Sequence, residues 1–141
     1  MLFSILLTCF YVIATAAAEY CTRESLKCVT DAYLSAQSSG RSHLLSSLTS
    51  CNLTYTENDN PVDIRRDIRS QALKIDHNIS IYDTTACSTF TEIVVTNPAK
   101  PYVIVTRMVF KKREVAAIES IVTTTRDWLF KYGIHFVLHT I

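Results

Sequence analysis

Glycine and proline are scarce in this chain of 141 residues, which holds two of the first, Gly40 and Gly133, and three of the second. So few glycines leave no room for a Gly-rich loop that cradles phosphates. The chain also lacks a Gly-x-Ser-x-Gly nucleophile elbow. No Cys-x-x-Cys pair and no His-Glu-x-x-His helix is present to hold zinc, so no metal site and no cofactor are expected. Neither charge sign dominates: the formal net charge is +1. Nucleic-acid binders carry a clustered positive excess, so nucleic acid is not an expected partner. Lys111, Lys112 and Arg113, with Arg107 nearby, read as a solvated turn flanked by one strand residue, since no aromatic interleaving accompanies them. Internal repeats and low-complexity segments are missing too.

What the chain does have begins at its first residue. The stretch "MLFSILLTCFYVIATAAA" (1–18) carries no charged side chain and ends in small residues. It reads as a secretory signal peptide cleaved after Ala18, with a signal anchor as the alternative. Nothing later is long and apolar enough to span a bilayer, so the mature form is expected to be secreted, extracellular and free of the membrane. Cys9 leaves with the signal, and Cys21, Cys28, Cys51 and Cys87 remain. An even count in a secreted chain reads as two disulfides. Two sequons, Asn52-Leu53-Thr54 and Asn78-Ile79-Ser80, agree with passage through a glycosylating compartment.

Leu26, Val29, Tyr33 and Ala36 recur at helical spacing over 24–37, and Gly40 stands where a helix should stop. A second helix is expected over 42–50, with Ser42 as its N-cap and Leu44, Leu45 and Leu48 inward. The short connection makes an antiparallel helical hairpin the default. In such a hairpin Cys28 and Cys51 return side by side. Pairing of Cys21 with Cys28 is disfavoured, because seven helical residues advance roughly 10 Å and a disulfide wants α-carbons within about 7 Å. The expected pairs are therefore Cys28–Cys51 and Cys21–Cys87. A short strand over 53–57, turn chemistry at Asp59-Asn60-Pro61 and a short helix over 64–70 follow. In that helix Ile64 and Ile68 point inward and Arg65, Arg66 and Arg69 outward. From Lys74 the pattern switches to four β-rich segments, near 74–83, 87–96, 101–110 and 115–125, joined by links short enough for hairpins. This order implies an α+β fold in which a curved antiparallel sheet has one face covered by helices, leaving a concave pocket.

The order of elements resembles the NTF2-like superfamily, which includes SnoaL-like polyketide cyclases, scytalone dehydratase and ketosteroid isomerase. The "YTEN" at 55–58 sits where that cone-shaped fold places its first strand. The stretches "CTRESL" (21–26), "AYLSAQSSG" (32–40), "KIDH" (74–77), "DTTACSTFTE" (83–92), "PYVIVT" (101–106) and "SIVTTTRDWLF" (120–130) are similar to a family of secreted fungal proteins of unknown function. The resemblance covers about residues 20–130, so the chain divides into a signal peptide (1–18), an NTF2-like domain (19–130) and a tail (131–141) that follows no family pattern. Members of that family continue past this point through a Gly-rich segment holding Arg and Glu, which the chain lacks; it therefore reads as a C-terminally truncated member. Lys131-Tyr132-Gly133 can be encoded by bases resembling a fungal 5′ splice site, which makes the tail readable as translated intron. His135 and His139 would then be accidental.

Acid–base chemistry needs a group that titrates near neutrality, and Asp76-His77 offers a carboxylate beside an imidazole. Adjacent strand residues point to opposite faces; His77, in phase with Ile75, Ile79 and Ile81, is the expected inward member. Glu92 shares a face with Phe90 and Val94, and Glu119 with Ala117 and Ile121. A carboxylate facing an apolar cavity would have a raised pKa, so His77, Glu92 and Glu119 are the catalytic candidates. Tyr55, Asp76 and Trp128 are the expected pocket residues. Asp83 reads as a turn cap. Two functions fit. One is a secreted pocket protein binding a small apolar or amphipathic ligand or a partner. The other is a cofactor-free isomerase, cyclase or dehydratase of the SnoaL-like type. A homodimer formed through the sheet is a further expectation, by fold analogy.

Overall fold

The apolar stripe of the first helix sets the architecture. In the computed structural model, which describes residues 20–127, helix α1 spans Arg23–Ser39. It buries Leu26, Val29, Tyr33 and Ala36, together with Thr30 and Gln37. The hydroxyl of Thr22 accepts from the Ser25 N–H and caps the N-terminus, an interaction worth about 1 kcal/mol. Gly40 ends the helix in the left-handed region, at φ 66°. A side chain there would be strained, and its Cβ would also lie 2.6 Å from the Ala72 backbone nitrogen.

The second helix does not form. Only a 3-10 turn, Ser42–Leu45, follows, and the chain then enters strand β1, Thr49–Glu57. Leu45 is buried and Leu48 half-buried, but Leu44 is exposed. The β-branched and aromatic content of 49–57 explains the switch, because β1 pairs in parallel with the last strand, β6 (Glu114–Thr124). That pairing removes the geometry on which the Cys28–Cys51 bridge depended. Cys28 lies on the exposed side of α1 and Cys51 is exposed on β1, and both are free thiols. The other pair forms: Cys21 and Cys87 are disulfide-bonded, with α-carbons 5.4 Å apart. The bridge ties the chain before α1 to the loop before β4.

Asn58 and Asp59 both have positive φ and turn the chain into the two-residue strand β2, Asn60–Pro61. The helix expected at 64–70 shrinks to turns and a 3-10 turn at Ile68–Ser70. Ile68 is buried as expected. Arg69 is buried as well, contrary to its outward assignment. The remaining strands are β3 (His77–Asp83), β4 (Ser88–Val95) and β5 (Tyr102–Lys111), which with β6 form the expected antiparallel meander. The six described strands make one mixed sheet in the order β2-β1-β6-β5-β4-β3. Strand periodicity then sorts the residues. Ile93, Ile104, Met108 and Ile118 are fully buried and face α1. Ile79, Ile81, Phe90, Val105 and Ile121 lie on the opposite face. Among the described residues, no helix is long and apolar enough to cross a membrane.

Candidate functional site

The meander registers put the three acid–base candidates on the face away from α1. His77 pairs with Val94 and Ile79 with Glu92, so His77 and Glu92 are diagonal neighbours there. Glu119 pairs with Arg107, and their side chains form an ion pair at 3.0 Å, half exposed. The phase assigned to each residue holds, but the face is the outer one. His77 shares the phase of Ile79 and Ile81, both exposed, rather than that of the core. Asp76 is exposed just before β3, where its carboxylate accepts from the Thr96 N–H (2.7 Å) and the Thr96 hydroxyl (2.8 Å). The Thr96 backbone bond, then its hydroxyl, hold the Asp76 carboxyl below the usual carboxylate range. It borders a shallow surface recess with Lys74, Asn97 and Pro98. Asp83 accepts from the N–H groups of Thr85 and Ala86, as a turn cap does. Trp128, the signal segment 1–18 and the tail 131–141 lie outside the described residues.

Of the expected pocket residues, Tyr55 lies in the interior, and it leads to the polar group that sequence reasoning missed. Arg69 is 2% exposed. Its guanidinium carbon sits 4.0 Å from the ring centre of Tyr33 on α1 and 5.7 Å from that of Tyr55 on β1. Nη2 donates to the hydroxyls of Thr106 on β5 (3.2 Å) and Ser120 on β6 (3.1 Å). Thr106 is itself 2.9 Å from Ser120 and 3.0 Å from the Tyr33 hydroxyl. A cation thus rests on two aromatic faces with a row of hydroxyls beneath it. Nε and Nη1 are buried and have no hydrogen-bond partner. Among the described residues no carboxylate pairs with Arg69; the ion pairs there join Lys27 to Asp31, Arg66 to Asp63 and Arg107 to Glu119.

Two side chains fix the turn that carries Arg69. Gln37 Nε2 donates to the carbonyls of Ile68 (2.8 Å) and Gln71 (3.1 Å), while its Oε1 is buried without a partner. Glu57, half-buried, accepts from the Ile68 N–H (3.4 Å) and the Tyr55 hydroxyl (3.1 Å). Burial, and secondarily the nearby Glu57 carboxylate, push the Tyr55 phenol well above its ordinary range against the pull of Arg69, so it stays protonated. Tyr55 and Leu53 stand on the same face of β1, two residues apart. Leu53 lines a cleft of about 420 Å³ together with Leu45, Ile64, His43 and Arg65. Ser42, Ser46 and Thr49 complete the lining of that cleft, which neither Tyr55 nor Arg69 borders. No signal in the local pattern foretells the burial of Arg69, because it lies in a turn too short to have a buried face by periodicity.

No protein-family model matches the chain, and no curated protein matches it by sequence. Solved structures match its fold. An NTF2-like protein of unknown function from Cytophaga hutchinsonii superposes with a TM-score of 0.55 at 8% identity, over 70% of this chain and 89% of that one. An NTF2-like protein of unknown function from Burkholderia xenovorans gives 0.51 at 11% identity, over 77% and 88%. A de novo designed protein with a curved β-sheet gives 0.57 at 13% identity, over 85% and 99%. The fold is NTF2-like, an α+β architecture with a curved mixed sheet; identities this low speak to the fold alone.

Proposed function

We propose that the chain is a secreted pocket protein that holds a small apolar or amphipathic ligand between α1 and the sheet. The observation that carries this reading is Arg69. A core that needs only to fold gains little from a buried guanidinium with two nitrogens unmatched, because apolar side chains of similar volume usually do as well or better. Apolar walls with a few convergent polar groups are what a small-molecule site requires. Native mass spectrometry of the secreted protein tests it: a retained small molecule of defined mass, released on denaturation and absent from an Arg69→Ala variant, is the expected result. A protein that neither retains nor takes up any small molecule would refute it.

The alternative, a cofactor-free isomerase, cyclase or dehydratase, would draw its acid–base residue from the same interior. The carboxylate nearest to hand, Glu57, is already engaged by Tyr55 and the Ile68 N–H. The Cys21–Cys87 bridge supports passage through an oxidising compartment. Asn52 and Asn78 are both exposed, as glycan acceptors must be. Expression of the full chain in a eukaryotic secretory host should yield medium protein that begins at Glu19 and loses mass on deglycosylation. We also propose self-association through the outer sheet face, where Ile79, Ile81, Phe90 and Ile121 are 46%, 63%, 47% and 47% exposed. Light scattering should give twice the monomer mass, reverting to monomer in Phe90→Glu.

A further inference from the structure

We infer that the first sugar of a glycan on Asn52 is seated in a hollow on the outer face of the sheet, with a small apolar floor and a charged rim. This rests on the glycosylation reading above and adds where the sugar lies. The hollow comes from two irregularities in the sheet. Thr49 pairs with Val115 and Thr54 with Ala117, so β1 advances five residues while β6 advances two, and β1 bulges there. On its other side β6 pairs Ala117 with Val109 and Val115 with Phe110, which leaves Ala116 as an extra, bulged residue. The two bulges lie side by side, and the β6 side chains between them are alanines. The hollow measures about 510 Å³, within the range of roughly 300–1,000 Å³ usual for small-molecule sites.

Asn52 itself lines this hollow, so a sugar on its side-chain nitrogen starts inside it. Strand alternation through Asn52-Leu53-Thr54 explains why: Leu53 packs on the core, and its two neighbours turn outward. During attachment the Asn52 nitrogen loses one proton and bonds to the anomeric carbon of an oligosaccharide diphosphate donor, whose diphosphate carrier leaves. The floor is Ala116, Ala117 and Val109, and the rim holds Arg107, Lys111 and Glu119. An N-acetylglucosamine matches both parts. Its ring C–H face and acetamide methyl suit small apolar side chains, and its hydroxyls and acetamide carbonyl suit charged donors and acceptors at the edge. Arg107 and Glu119 form an ion pair at 3.0 Å that is half exposed, so each keeps bonding capacity to spare. The same pair borders the neighbouring recess of Phe90, Val105 and Ile121. The seated sugar therefore ends at the ion pair and bounds the exposed apolar patch without covering it. Asn78 differs: it stands exposed on β3, the edge of the described sheet, paired with Ile93 on the opposite face.

The test uses the full chain secreted from a eukaryotic host, as Asn52→Gln and as Asn78→Gln. Mass spectrometry of the denatured proteins should find one glycan in each. Peptide N-glycosidase is then added to the folded proteins. The glycan on Asn52, read in Asn78→Gln, should be released at least tenfold more slowly than the glycan on Asn78, read in Asn52→Gln. Denaturation should abolish the difference. Adding Ala117→Phe to Asn78→Gln fills the hollow from a position that faces away from the core, and should raise the Asn52 rate to that of Asn78. The comparison of the two single-glycan proteins stands even where this third protein is not secreted. Absence of a glycan on Asn52 would overturn the glycosylation reading at that sequon and the seat together. Equal release rates would overturn the seat and leave glycosylation standing. Slow release that persists with Ala117→Phe would also overturn the seat, since the protection would then come from elsewhere on the fold.

Discussion

Replacing Arg69 with methionine separates a residue kept for stability from one kept for binding, and the two predict different signs. The favourable terms are the stack on Tyr33, worth about 2 kcal/mol when desolvated, and two hydrogen bonds to a charged donor, together about 3 kcal/mol. Against them stand the cost of taking a guanidinium out of water, several kcal/mol, and two nitrogens left unmatched at about 1–3 kcal/mol each. The sum is near zero or unfavourable. Methionine fills similar length without charge, and the hydroxyls it abandons are not orphaned, because Thr106, Ser120 and Tyr33 bond one another. Arg69→Met should therefore leave ligand-free stability unchanged within about 1 kcal/mol or raise it, by the precedent of buried ions replaced by apolar groups. A domain of this size would shift in Tm by no more than roughly 8 °C. Arg69→Ala, which leaves a cavity as well, should lose about 2–5 kcal/mol. Urea unfolding followed by circular dichroism measures all three proteins. A loss above about 3 kcal/mol in Arg69→Met would refute the reasoning and make Arg69 a structural keystone.

Three further outcomes follow from the geometry. Peptide mapping of the unreduced protein should link Cys21 to Cys87 and find Cys28 and Cys51 open to alkylation; losing the bridge, whose ends are 66 residues apart, should cost about 4 kcal/mol on the chain-entropy model. The Tyr55 phenol is raised in the folded state, so it contributes stability that is complete below the ordinary tyrosine pKa, about 10, and is lost only as pH climbs above it. The difference between wild-type and Tyr55→Phe absorbance titrations should stay flat through pH ~10 while the fold persists, and a tyrosinate signal developing there would contradict the burial. Gly40→Ala should destabilise by more than the roughly 1 kcal/mol of an unfavourable φ alone, since its Cβ meets the Ala72 backbone; equal melting temperatures would show that the α1 stop is not constrained.

What the sequence made legible were features governed by nearest neighbours. The stripe Leu26, Val29, Tyr33 and Ala36 marks a helix with a single buried face, and four β-rich runs with tight links mark a meander. Long-range pairing was not legible. The leucines of 44–48 suggested a helix, but the strand that starts at Thr49 is stabilised by β6, more than sixty residues later in the chain. With that helix went the Cys28–Cys51 bridge. The phases of His77, Glu92 and Glu119 are legible in the alternation, but the face they occupy is not, because both sides of this sheet carry large apolar residues. Ile81 and Phe90 outside are as hydrophobic as Ile93 and Ile104 inside. Arg69 was hidden for a different reason: a charged residue in a three-residue turn is by default solvated, and only the approach of Tyr33, Thr106 and Ser120 from three other elements buries it.

The most direct measurement of the central claim is the Arg69 Nε–H resonance in a ¹H–¹⁵N spectrum, assigned by its loss in Arg69→Lys and compared between the protein as secreted and the protein stripped of small molecules by denaturation and refolding. The account predicts a large difference in that resonance between the two samples, accompanied by shifts on Tyr33 and Thr106 beside it. A resonance that stays put while shifts gather on Ile81, Phe90 and Ile121 of the outer face would contradict it.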